Sequence, residues 1–269
     1  MVNEQEETKL LDLVRNGDQQ ALEELLSLVQ PRLYRFSMKM CQHPEDAEDV
    51  LQDSMLSLAR YVKDFRGESR FSTWLFTVAR SFCIKQRRKS KFAPKQHLSL
   101  ESVTDSVSAS GTAYGTDPLR QVEHSEVWQE VQAGIAALEP HFREVLVLRD
   151  VEGLSAKEVA AVTGQTVSAV KSRLHRARVK LRDNIGNAKI RTADCPDIRR
   201  VFSQYVEGEL SSDVCAKMQD HVLECAICKS ECDQLKEQLE LCSQAPCEVP
   251  IEVQERVKQS LRSHLDGVT

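Results

Sequence analysis

The chain has 269 residues, 41% hydrophobic and 29% charged, enough for two or three small domains with buried cores. Aromatics are only 5% and glycines number 10, which argues against an all-β fold or a glycine-looped nucleotide enzyme. The net charge of −5 is unusual for a protein that binds DNA alone, so any DNA contact must rest on local patches or a larger partner.

The chain begins acidic, with Glu4, Glu6 and Glu7, and no apolar stretch follows as in a secretory leader. No apolar run approaches the length of a membrane span, so a cytoplasmic protein is expected. Residues 8–91 read as helical. Leu10, Leu13 and Val14 share a face, and Asn16-Gly17-Asp18 makes a turn that can start the next helix, with Leu22, Leu25, Leu26 and Val29 at helical spacing. His43-Pro44 breaks the pattern before the acidic start Glu45, Asp46, Glu48 and Asp49, which suits a helix dipole. Phe71, Leu75, Val78 and Phe82 form a further apolar stripe; Trp74 lies off it.

Residues 92–122 are serine-rich and aperiodic, and are expected to form a flexible linker. A second helical unit is expected over 123–187. Val127, Val131, Ile135 and Leu138 give one helix ending near Pro140, and Phe142, Val145, Leu146 and Leu148 begin another. Ser155-Ala156-Lys157-Glu158 is a capping box, Gly164 can end that helix, and Thr166 can cap the next, whose buried stripe is Val170, Leu174, Ala177 and Leu181. A short helix, a glycine turn and a basic helix together predict a helix-turn-helix.

Two basic stretches contain no acid. The first holds Arg80, Lys85, Arg87, Arg88 and Lys89 and continues to Lys95, after a helix bearing Phe71, Trp74, Phe76 and Phe82; this mixture suits single-stranded DNA. In the second, Thr166, Val167, Ser168 and Lys171 stand where a recognition helix meets base edges, and Arg173, Arg176 and Arg178 where it meets phosphates.

Seven of the nine cysteines follow residue 194, in a last unit expected over 195–269 as three or four helices. Ser211-Ser212-Asp213 offers a cap there, and Ile251, Val257, Leu261 and Leu265 an amphipathic end. Cys195, His221, Cys225 and Cys228 read C-x25-H-x3-C-x2-C. On one helix His221 and Cys225 would share a face with Cys228 a turn later, converging on a tetrahedral ion, while Cys195 would pin a second helix. Cys215, Cys232, Cys242 and Cys247 are possible additional ligands; thiol-rich sites favour zinc, copper or cadmium over hard ions.

These residues carry a family resemblance. Asp46-Ala47-Glu48-Asp49-Val50-Leu51-Gln52-Asp53, followed by Phe65-Arg66-Gly67-Glu68-Ser69-Arg70-Phe71-Ser72-Thr73-Trp74-Leu75, resembles region two of extracytoplasmic-function sigma factors. Val170-Lys171-Ser172-Arg173-Leu174-His175-Arg176-Ala177-Arg178 resembles the recognition helix of their region four. The chain departs from the family pattern at Ser81 and Lys85, where Asn and Asp are common. The resemblance implies a transcription initiation subunit that binds core RNA polymerase through Asp46, Glu48, Asp49, Gln52 and Asp53 and engages promoter DNA. The cysteine pattern is similar to the zinc-binding anti-sigma fold, and a fused cysteine-rich tail resembles that of metal-responsive sigma factors.

The expectation is therefore an all-α protein: two sigma domains and a metal-binding helical tail, with no catalysis, membrane or small-molecule substrate. The tail is expected to pack against the sigma domains in one state and free them in the other. A structural zinc or a thiol switch in the tail stays open. So does a conventional metal-sensing repressor. A catalytic zinc site lacks support from any acid or base at motif spacing.

Overall fold

In a computed structural model the described residues are 4–41, 43–92, 118–185, 195–244 and 249–265. Every regular element among them is helical. Helix α1 (Glu4–Arg15) ends at Gly17, whose positive φ of 88° makes the turn, and the Asp18 carboxylate accepts from the Ala21 amide to start α2 (Gln19–Met40). Pro44 occupies the first turn of α3 (Pro44–Tyr61), with Glu45 and Asp46 beside it. A 3-10 turn (Val62–Asp64) leads on to α4 (Phe71–Phe92).

These helices enclose a core in which Phe36 and Phe76 are fully buried, their rings 5.3 Å apart. The buried face of α4 is Phe71, Leu75, Phe76, Ala79 and Cys83; Val78 and Phe82, expected on it, are only half-buried. The helix presents a wider arc to α2 and α3 than a four-three-four count describes. Trp74 is half-buried and stacks 5.9 Å from Phe71, joining Phe65 in one aromatic group.

The second unit begins with α5 (Pro118–Ala137), which starts inside the stretch expected as linker; residues 93–117, including Lys95, lie outside the described residues. Val131, Ile135 and Leu138 are buried as the pattern predicts, whereas the Val127 side chain lies outside the described set. Helix α5 ends at Ala137, just before Pro140, which opens α6 (Pro140–Leu146), and a π turn (Val147–Val151) follows. Arg143 is buried and donates to the carbonyls of Ile135, Ala136 and Leu138, satisfying the open end of α5. Helix α7 (Ala156–Thr163) carries the Ser155/Glu158 capping box and ends at the left-handed Gly164. The Thr166 hydroxyl then accepts from the Ala169 amide at the start of α8 (Val167–Ile185).

Ion pairs join the two units. Arg35 of α2 grips Glu152 with two bonds of 2.8 and 2.7 Å, and Arg80 of α4 donates to Glu144 of α6 at 2.8 Å.

The tail forms α9 (Ile198–Val206), α10 (Ser212–Glu224), α11 (Ala226–Ser243) and α12 (Ile251–Leu265). Ser211 stands at the cap of α10 but makes no capping bond with its side chain. On α12 the buried stripe is Val253, Val257 and Leu261, whereas Ile251 is exposed and the Leu265 side chain lies outside the described residues. The tail does not stand apart: α9 lies on α8, α11 on α9 and the π turn, and α12 on α3.

Candidate functional site

Three surfaces collect the chemistry singled out above. The first is a cluster of Cys195, His221, Cys225 and Cys228, whose ligand atoms all lie within 4.8 Å of one another. Cys195 Sγ is 3.8 Å from Cys225 Sγ, and His221 Nε2 is 3.3 Å from Cys228 Sγ. A tetrahedral zinc with ordinary Zn–S and Zn–N bonds requires edges of about 3.8 Å between sulfurs and about 3.6 Å from sulfur to nitrogen. The group therefore fits a zinc-type ion, and three sulfurs with one imidazole make a soft donor set.

The single-helix arrangement expected for His221 and Cys225 is not what brings them together. The chain breaks at Cys225, which ends α10 and starts α11 in an extended conformation (φ −107°, ψ 102°). His221 comes from the last turn of α10, Cys228 from the first turn of α11, and Cys195 from just before α9. The bend turns the ligands inward, where a straight helix would leave them in a row. A backbone bond from Cys228 holds the Cys225 thiol below its ordinary value, while desolvation, with Cys195 and Cys225 alongside, pushes Cys228 up to about 12.

Cys215, Cys232 and Cys242 lie outside this group. Cys242 is fully buried in the main core, and burial pushes its thiol up to about 12, so it behaves as a small apolar residue there. Cys247 lies outside the described residues.

The second surface is α8. Thr166, Val167, Ser168 and Arg176 are exposed, as base and phosphate contacts require, and Arg173 is half-buried. Arg178 departs from expectation: only 4% exposed, it pairs with Asp150 at 2.6 Å and Glu207 at 2.8 Å and also donates to Ser203 Oγ. A buried cation is tolerated only with such partners. Lys171 is likewise taken, 3.0 Å from Glu209, and the buried Arg182 pairs with Glu231 and Gln234. In this arrangement Lys171 and Arg178 face the tail, not phosphate.

The third surface is the outer face of α3. Asp49 and Asp53 are exposed, but Glu48 accepts from Arg256 at 2.6 Å, Gln52 donates to Ser260 at 3.0 Å, and both partners belong to α12. Asp46 accepts from Gln86 of α4 at 2.6 Å. On α4 itself Lys85, Arg87, Arg88 and Lys89 are exposed, whereas Arg80 is committed to Glu144 and does not join them.

Sequence reasoning missed the residues that cover these faces: Glu207, Glu209 and Glu231 over α8, Arg256 and Ser260 over α3. The signal was present in part, since Glu207-Gly208-Glu209 is an acidic patch following a basic helix. Its target was not readable from spacing.

Comparison with known proteins places these surfaces in families. Residues 25–92 match Sigma-70 region 2, residues 128–181 match Sigma-70, region 4, and residues 195–229 match the family described as "Putative zinc-finger". The chain is 28% identical over 180 residues to the ECF RNA polymerase sigma factor SigW of Bacillus subtilis, covering 66% of this chain and 95% of that one. It is 29% identical over 187 residues to the RNA polymerase sigma factor CarQ of Myxococcus xanthus, covering 68% and 99%. It is 28% identical over 180 residues to the ECF RNA polymerase sigma factor SigE of Mycolicibacterium smegmatis, covering 66% and 67%. About a third of this chain is therefore additional to what it shares with SigW and CarQ.

Proposed function

Because the chain belongs to the extracytoplasmic-function sigma factors of the sigma-70 family, we propose that it directs promoter-specific initiation and that its own tail holds it in an occluded state. The observation that carries this reading is that one tail engages both working faces: α12 lies on α3, α9 lies on α8, and Glu231 of α11 pairs with Arg182 of α8. In the open state Asp46, Glu48, Asp49, Gln52 and Asp53 meet core RNA polymerase. The exposed Lys85, Arg87, Arg88 and Lys89 then meet the melted strand, and Thr166, Val167, Ser168 and Lys171 read duplex DNA, with Arg173, Arg176 and Arg178 near phosphates. The tail is covalently attached, so its local concentration is high and even modest contacts populate the closed form.

Zinc, or another soft ion such as copper or cadmium, suits the Cys195, His221, Cys225 and Cys228 group and would clamp the start of α9 to the α10–α11 bend. Those helices carry Ser203 and Glu231, and Glu207 follows α9 directly, so the metal stabilises the side of the balance in which α8 is covered. Loss of metal loosens that clamp and favours opening. Among the described residues no helix is long and apolar enough to cross a membrane, which fits action beside the polymerase.

The test is binding of the full, reduced chain to core RNA polymerase, with zinc and after chelation. Tighter binding after chelation supports the occluded reading. Equal binding in both states reduces the ion to a structural staple, and failure to bind polymerase in either state would overturn the sigma role.

A further inference from the structure

The π turn and the residue after it carry three charged side chains, and each is held by a different part of the chain. Arg149 donates to Glu207 of the tail at 3.2 Å, Asp150 accepts from Arg178 of α8 at 2.6 Å, and Glu152 accepts from Arg35 of α2 at 2.8 and 2.7 Å. Arg178 also reaches Glu207 at 2.8 Å, which joins the pairs into one group. The turn is anchored beneath them: Val147 and Leu148 are fully buried, Val151 nearly so, and Arg149 donates a further bond to the Leu154 carbonyl at 3.3 Å. Turns of this type are rare and recur at functional sites.

The guanidiniums of Arg35, Arg149 and Arg178 thus meet the carboxylates of Asp150, Glu152 and Glu207, and the group is balanced in charge. None of these side chains is more than 26% exposed, so solvent screens them weakly. Lys171 adds no imbalance, being 3.0 Å from Glu209. Departure of α2 removes Arg35 and leaves the group with excess negative charge, which weakens its hold on Glu207. Departure of the tail removes Glu207 and leaves excess positive charge, which weakens its hold on Arg35.

We propose that this group couples two closures, the first helical unit against the second and the tail against α8, so that loss of either favours loss of both. The proposal rests on the occluded reading above and adds to it a second way of opening. Arg149 is the member that changes partner. It stands three residues before Glu152 on the same turn, within reach of a helical neighbour, and Glu152 draws it from Glu207 once Arg35 has gone. A partner that pulls the first unit away, as core polymerase would, thereby also loosens the cover on the basic helix, without loss of metal. The effect is reciprocal, because a coupling free energy belongs to both contacts alike.

The experiment follows amide exchange over α9 in the full, zinc-loaded chain, without polymerase or DNA. Arg35→Gln should speed exchange there about fivefold or more, because Glu152 then competes for Arg149. Glu152→Gln breaks the same Arg35 pair but leaves a cation in excess, so it should slow exchange over α9. The double variant restores the balance and should return the wild-type rate. A merely structural role for the Arg35–Glu152 pair predicts faster exchange in all three chains. An unchanged rate in Arg35→Gln overturns the coupling, as does unchanged or faster exchange in Glu152→Gln, which decides the matter even where Arg35→Gln fails to fold. Glu207→Gln separates this proposal from the reading beneath it. If that variant speeds exchange and Arg35→Gln does not, the tail contact stands and the coupling falls; if Glu207→Gln changes nothing, both fall.

Discussion

Arg178, on the helix expected to meet DNA, donates to Glu207 of the tail at 2.8 Å, and both side chains are only 4% exposed. Asp150 holds the same guanidinium from the other side at 2.6 Å. Burial works against the Arg178 cation, but Asp150 and Glu207 outweigh it and keep it charged. A residue proposed to approach DNA and a tail residue are thus each the other's condition for being buried.

Replacing one member of that group leaves an uncompensated charge. Breaking a buried ion pair typically costs about 3–5 kcal/mol, and Asp150 as a remaining partner should bring Glu207→Gln toward the lower figure. The predicted outcome is release of α9 from α8, read as faster amide exchange over 198–206 and stronger, salt-sensitive binding of promoter duplex by the polymerase complex. Unchanged exchange in those residues would sink the idea that this contact holds the tail.

On α3 the apolar contact should outweigh the charged one. The Arg256–Glu48 pair is largely exposed on the Arg256 side, and such pairs are worth about 0–1 kcal/mol. Val253, Val257 and Leu261 are buried, each contributing roughly 1.5–3 kcal/mol. The prediction is that Val257→Asp raises affinity for core RNA polymerase tenfold or more and Arg256→Ala only a few-fold, as titration of the two full chains against polymerase would reveal. The reverse order would mean that α12 is held by charge.

His175 supplies a pH dependence. It is half-buried on α8, its Nδ1 without a partner, and burial, with Arg200, Arg178 and Arg176, holds it below the ordinary 6.5 despite Asp197. The unfolded or opened chain therefore binds a proton more readily than the closed one. Stability of the closed form is fully present above 6.5 and is lost as pH falls through that value toward the depressed one. Exchange protection of α8 and α9 should drop as pH falls below 6.5, and His175→Gln should flatten the response. A profile that His175→Gln leaves intact would show that another group carries the pH dependence.

Metal removal should act locally. The tail shares a core with the other units through Leu241 and Cys242, so it retains part of its structure without an ion. Chelation, or Cys225→Ser with Cys228→Ser, is expected to lower helicity and protection over 195–230. Residues 43–92 should keep theirs, as hydrogen exchange resolved by peptide can measure. Loss of protection across all three units would show the ion to be a global staple.

Much of this was legible in one dimension. Helix starts and stops at Asp18, Pro44, Ser155 and Gly164 follow from local backbone chemistry, which needs no distant partner. The four-residue metal pattern was legible too, because ligand types at fixed spacing restrict the chain strongly. The bend at Cys225 was not, since an uninterrupted helix satisfies the same spacing.

By itself the sequence determined the all-helical class, the order of the three units and the chemistry available to each, because caps, periodicity and motif spacing are properties of neighbours along the chain. Only the tertiary structure decided which charges remain available. Lys171, Arg178 and Arg80 all read as free cations in the sequence, and each is matched by a carboxylate at Glu209, Glu207 or Glu144, brought close by packing. A cation's role depends on what lies within a few ångströms of it, and that distance is set by how helices pack, not by how residues follow one another.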